Sequence, residues 1–110
     1  MKKIITVTLS IVMFNLSVLA NSFEDAEKYI EVGNNSSALE TLRSIEPKNI
    51  DEIARQSFLI GKIYFALGKI NRSEEFFLDA SMKNPGESKY EVGLAEAKIA
   101  LGKFKEASQI

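Results

Sequence analysis

The arrangement of hydrophobic and polar positions changes at about residue 20. From Ile4 to Ala20 the chain is almost wholly apolar or small and carries no charge. Beyond it, apolar residues recur three and four positions apart, the spacing that gathers side chains on one face of a helix. Phe23, Ala26, Tyr29 and Ile30 form one such set, and Leu39, Leu42 and Ile45 a second. Phe76, Phe77 and Ala80 form a third, and Leu94, Ala95 and Leu101 a fourth. Turn-forming residues separate these runs: Gly33-Asn34-Asn35, Gly68, Asn84-Pro85-Gly86 and Gly102. The pattern predicts an all-α chain of helices joined by short turns.

Met1-Lys2-Lys3 precedes the apolar stretch and Val18-Leu19-Ala20 closes it, with modest or small side chains at −3 and −1 of a cut after Ala20. A positive segment, an apolar segment and a small-residue exit are the three parts of a secretory signal. The lysines stay on the cytoplasmic side, the apolar stretch enters the bilayer as a helix, and the peptidase site accepts only small side chains. Residues 1–20 are therefore expected to be a cleaved signal peptide and residues 21–110 the mature domain. The rival reading is an uncleaved anchor. Residues 4–20 lie at the short edge of the roughly 17–25 residues that span a bilayer, and Ser10, Asn15 and Ser17 interrupt them.

Gly33, Gly68 and Gly102 stand 35 and 34 residues apart, and Ala38, Ser73 and Ala107 keep that register five residues further on. A period near ~34 residues with two helices per unit marks a repeat architecture, in which each hairpin buries its faces only against its neighbours. The middle unit, about Ala54 to Glu87, is the clearest. There Ile60-Gly61 is followed by Tyr64, then by Ser73, Phe77, Ala80 and Pro85. Gly61 and Ser73 are expected to face each other and let the paired helices approach closely. Gly68 is expected to end a helix in the left-handed conformation. Helix starts are expected at Ser22, at Ser37-Ala38-Leu39-Glu40 and at Ser88-Lys89-Tyr90-Glu91, the last two written as capping boxes. Ile110 falls partway through the second helix of the third unit, and Gln109-Ile110 supplies no polar cap. The expectation is an N-terminal piece of a longer protein.

This constellation resembles the tetratricopeptide repeat family, over residues 22–110. Ser57 stands where that family often has Trp, Lys98 replaces the usual Tyr in the third unit, and Pro47 comes early in the first. The resemblance implies a right-handed solenoid of antiparallel helix hairpins, with two full repeats and one incomplete. It also implies that the first helices line a concave side that takes peptides and protein segments. Phe23, Glu27 and Ile30 of the first unit project onto that side. So do Arg55, Phe58, Lys62, Phe65, Lys89, Val92 and Glu96, which form the candidate partner-binding groove. Phe58, Lys62 and Phe65 fall at i, i+4 and i+7, with Arg55 three before. An aromatic pair flanked by cations can anchor an extended segment, although such rings more often pack inside helical cores. Chaperone-binding members of the family grip a C-terminal carboxylate with basic and amide side chains on the first repeat. Phe23 and Glu27 occupy those spots here, which argues against that clamp.

Composition narrows the chemistry further. The chain has no Cys and no His, so it holds no disulfide or thiolate zinc site and lacks the commonest general base. It has no phosphate-binding Gly loop and no metal-ligand cluster in sequence. Glu74-Glu75 is a pair only in sequence, because adjacent helix residues diverge. No catalytic, cofactor-binding or metal-ligating residue is expected, and no enzyme activity. Net charge is −1, and falls to −3 once Lys2 and Lys3 leave with the leader; this is no electrostatic footprint for nucleic acid. Asn34-Asn35-Ser36, Asn35-Ser36-Ser37 and Asn71-Arg72-Ser73 match the glycan acceptor pattern, but all lie at turns where Asn and Ser are natural helix caps. The expected function is an exported, periplasmic interaction module or scaffold for a protein or peptide segment, in bacterial envelope assembly or secretion. The alternatives are a membrane-anchored scaffold that retains residues 4–20, and the binding arm of a longer outer-membrane barrel or enzyme.

Overall fold

The computed structural model describes residues 22–110; the leader expected at residues 1–20 lies outside them. The described residues form six helices and no strand: α1 (Phe23–Glu31), α2 (Asn35–Ser44), α3 (Ile50–Ala66), α4 (Ile70–Lys83), α5 (Ser88–Ala100) and α6 (Phe104–Ala107). Each helix packs on the next. In addition α1 touches α3, and α3 touches α5. None of them is long and apolar enough to cross a membrane.

The three glycines at the 35- and 34-residue spacing adopt the same conformation, each with φ of 78°. They close the same pair of hydrogen bonds. Gly33 donates to Ile30 O at 3.1 Å and Asn34 to Tyr29 O at 2.8 Å. Gly68 donates to Phe65 O at 3.0 Å and Lys69 to Tyr64 O at 2.9 Å. Gly102 donates to Ile99 O at 3.0 Å and Lys103 to Lys98 O at 2.8 Å. This is the Schellman arrangement, which satisfies carbonyls that the end of a helix would otherwise leave without partners. Nothing approaches within 4 Å of an added Cβ at any of the three glycines, so backbone conformation and not crowding selects Gly there.

Helix starts differ from the expected ones. Ser22 does cap α1, accepting from the Asp25 amide at 3.2 Å. α2 is capped by Asn34, which accepts from Ser37 N at 3.3 Å, so Ser37 lies inside the helix and forms no capping box. α3 begins at Ile50, earlier than the repeat boundary suggests, because Asn49 accepts from Glu52 N at 2.9 Å. Ser88 is the first helical residue of α5, behind Glu87, and this helix has no side-chain cap. Asn71 is likewise inside α4, which also starts without a side-chain cap. Asn34 is therefore the one of these glycan-pattern asparagines that caps a helix. Pro47 follows the end of α2, whose last carbonyls are served from a distance: Gln56 Nε2 donates to Leu42 O at 2.7 Å and to Ile45 O at 3.2 Å.

The core forms three neighbouring clusters. Phe23, Ala26, Ala38, Leu42, Leu59 and Ile63 join α1, α2 and α3. Ala54, Ala80 and Tyr90 make a second cluster, and Phe77, Leu94 and Ala97 a third. Phe58, only partly buried, packs against all three. Phe77 is held between two glycines. An added Cβ at Gly61 would lie 2.8 Å from Phe77 Cδ1, and one at Gly93 would lie 3.0 Å from the same atom. The tightest approaches at Gly61 are those of Phe77 and of Phe76 Cβ at 3.3 Å. Ser73 is fully buried, and its hydroxyl has no hydrogen-bond partner among the described residues.

Candidate binding groove

The surface that α1, α3 and α5 present together carries two adjacent cavities. The first, about 360 Å³, is lined by Glu27, Ile30 and Glu31 of α1, by Arg55, Phe58, Leu59 and Lys62 of α3, and by Lys89. The second, about 380 Å³, lies between α3 and α5 over Phe58, Phe77, Val92 and Gly93, with Lys62, Ser88, Lys89 and Glu96 around it. Phe58, Lys62 and Lys89 belong to both and form the ridge between them.

The helical spacing of α3 explains this placement. Arg55, Phe58 and Lys62 occupy one stripe, flanked on one side by Ala54 and on the other by Leu59 and Ile63, all three of them buried. Phe58 lies tilted against Tyr90 and Phe77, with ring centres 4.9 and 5.6 Å away. Two ammonium groups also stand over this ring: Lys62 Nζ at 5.6 Å and Lys89 Nζ at 5.9 Å from its centre, the latter shared with the Tyr90 ring at 5.7 Å. A cation over an aromatic face is held by the ring quadrupole.

Arg55 is engaged differently. Its guanidinium lies 4.8 Å from the Phe23 ring centre and donates to Glu27 Oε1 at 2.6 and 3.2 Å and to Glu24 Oε1 at 3.4 Å. Burial alone would lower the Arg55 pKa, but the Glu27 hydrogen bond and the two carboxylate charges more than reverse that and raise it. Arg55 therefore docks α3 on α1. Lys62 and Lys89 form no ion pair among the described residues.

Six of the seven groove residues named from the sequence are brought together here: Arg55, Phe58, Lys62, Lys89, Val92 and Glu96. Phe65 is not. It packs, half-buried, against the cluster of Phe77, Leu94 and Ala97 and lines neither cavity. Glu27 and Ile30 line the first cavity as projected, whereas Phe23 is buried beneath Arg55. The sequence reading did not single out Glu31, one turn beyond Glu27, or Gly93. A glycine inside a helical run signals close packing, and that signal was available at Gly93.

The position where the repeat pattern wants Trp is filled by Ser57, which donates to Asp79 Oδ2 at 2.6 Å, while Lys83 donates to the other carboxylate oxygen. Burial would raise the Asp79 pKa, but these hydrogen bonds and the Lys83 charge lower it. Lys98, in place of Tyr, bridges Glu74 at 3.0 Å and Glu106 at 3.1 Å. No cluster of His, Cys, Asp and Glu suited to a metal ion occurs among the described residues. No protein-family model, curated protein or solved structure matches the chain.

Proposed function

We propose that this chain is a protein-interaction module of the tetratricopeptide type, a right-handed solenoid of antiparallel hairpins that takes an extended protein segment along α1, α3 and α5. Support for the repeat comes from three identical C-terminal turns at 35- and 34-residue spacing and from the side-by-side contact of alternate helices. One observation carries the binding reading: two adjacent cavities share a half-buried aromatic ring topped by two lysines that pair with no carboxylate among the described residues. An extended segment laid across that ridge places side chains in both cavities, with Phe58 as a rigid anchor. Glu27, Glu31 and Glu96 interrupt the basic residues of this surface, which leaves no continuous row of cations for a phosphate backbone, so the partner is protein and not nucleic acid. The reading includes no catalysis and no cofactor.

Export to the periplasm, as an envelope assembly or secretion scaffold, is proposed on residues 1–20 alone. Mass spectrometry of the endogenous protein tests it: a mature start at Asn21 supports cleavage, and a membrane-bound chain that keeps Met1 supports the anchored alternative. The groove is tested by selecting binders from a displayed library of random peptides and measuring them against Lys62→Glu. The expected result is at least a tenfold loss of affinity with unchanged melting, since exposed substitutions usually shift stability by about 0.5 kcal/mol or less. Unchanged affinity, or a library that yields no binder above an inert helical control, would sink the reading.

A further inference from the structure

We infer that the ridge between the two cavities selects an acidic side chain within the bound segment, seated between Lys62 and Lys89, with an apolar side chain two residues away in the second cavity. The inference rests on the groove reading above and names the chemistry of its occupant.

The two lysines come from different helices, yet both ammonium groups stand over Phe58, at 5.6 and 5.9 Å, with that of Lys89 also 5.7 Å from the neighbouring Tyr90 ring centre. Each carries three donors and no acceptor, and facing one ring uses none of them. The nearest other cation, Arg55, is already bound to Glu27 and Glu24, so it does not compete for an incoming anion. Glu31 lines the first cavity and Glu96 the second, but neither comes within ion-pair distance of the two lysines, and two such unpaired cations beside one ring are a complementary seat for a single carboxylate. The second cavity has an apolar floor of Phe58, Phe77 and Val92, open because Gly93 carries no side chain. In an extended segment alternate side chains point the same way, about 6.8 Å apart. An acidic residue on the ridge therefore sends the residue two positions along toward this floor.

The test uses a labelled seven-residue peptide, Ser-Leu-Ser-Glu-Ser-Leu-Ser, acetylated and amidated. The flanking leucines suit either chain direction, and the amidated end removes any terminal carboxylate. Binding to the full chain is read by fluorescence anisotropy, beside the same peptide with Gln in place of Glu. The expected result is a threefold to tenfold preference for the Glu peptide that narrows as salt rises. Within a Lys62→Gln, Lys89→Gln double variant the ratio of the two peptides' affinities should fall to about one. Equal affinity for the two peptides, or a preference that survives in the double variant, would overturn the acidic selection and leave the groove standing. If neither peptide binds, the inference fails also, and the library selection decides separately whether the groove binds anything.

Discussion

Between α3 and α4 the chain turns through Leu67-Gly68-Lys69, and between α5 and α6 through Leu101-Gly102-Lys103, with the same φ of 78° and hydrogen bonds that agree to 0.1 Å or better. What packs on either side of these turns is different. Seven residues before Gly68 stands Gly61, pressed by the Phe77 ring, and four before it stands Tyr64, stacked on Phe76 with centres 5.5 Å apart. Seven residues before Gly102 stands Ala95, which borders a shallow cavity of about 180 Å³ with Val92, Ala107 and Ile110. Four before it is Lys98, held by Glu74 and Glu106. No residue of α6 is buried, and Phe104 is 66% exposed. The turn is a local solution, written in a few consecutive residues and reproduced wherever they occur. The packing is assembled from distant residues, so one hairpin is closed by aromatic burial and the other by a partly covered ion-pair network centred on Glu74 of α4 and Lys98 of α5.

The largest expected effect is at Phe77. Phe77→Ala empties the space between Gly61 and Gly93 and should cost about 3–5 kcal/mol in denaturant unfolding, whereas Phe104→Ala should cost about 0.5 kcal/mol or less. Similar losses for the two would break the distinction between the hairpins. Next come the glycines that clamp Phe77. Gly61→Ala forces overpacking that costs about 1–3 kcal/mol, offset by about 1 kcal/mol of improved helix propensity. A net loss is expected, and a smaller one at Gly93, where the contact is 3.0 Å and not 2.8 Å. If Gly93→Ala proves the more damaging, the ring is not held as described.

The turns themselves provide the finer comparison. Gly68→Ala and Gly102→Ala put the same strain of about 1–2 kcal/mol into the left-handed position. At Gly68 the loss should appear in global unfolding. At Gly102 it should appear in faster amide exchange of α6 while the global midpoint holds. The smallest effect is electrostatic. Burial would raise the Glu74 pKa, but hydrogen bonds from Lys103 and Lys98 outweigh it, and the folded value lies below the ordinary 4.5. A depressed carboxylate contributes stability above its unfolded pKa and loses it as pH falls through the folded one. Acidification below 4.5 should therefore loosen the α5/α6 end, and Glu74→Gln should flatten that part of the pH profile.

The three turns were legible in the sequence because a positive φ admits few residues besides Gly, and the spacing exposed their recurrence. Helical period put Arg55, Phe58 and Lys62 on one stripe, whereas the grouping of α1, α3 and α5 on one surface came from the family resemblance and not from the period. Helix starts were misjudged at Ser37 and Ser88, because Asn34, three residues before Ser37, and Glu87, one before Ser88, take the capping positions and several nearby side chains could have served. Phe65 was assigned to the groove by spacing, but its stripe drifts into the third core cluster, and periodicity does not say where a neighbouring helix will lie. The Arg55–Glu27 and Lys98–Glu74 pairs join residues 28 and 24 positions apart; nothing local announces them.

The central claim is that a partner segment binds across α1, α3 and α5. The most direct measurement is the change in amide chemical shifts of the isotope-labelled chain as the Glu-containing peptide is added. The account predicts shifts concentrated at Phe58, Lys62, Lys89 and Val92, with the exposed apolar residues of α4, Leu78 and Met82, unmoved. Shifts centred on Leu78 and Met82, with Phe58 and its two lysines silent, would contradict it.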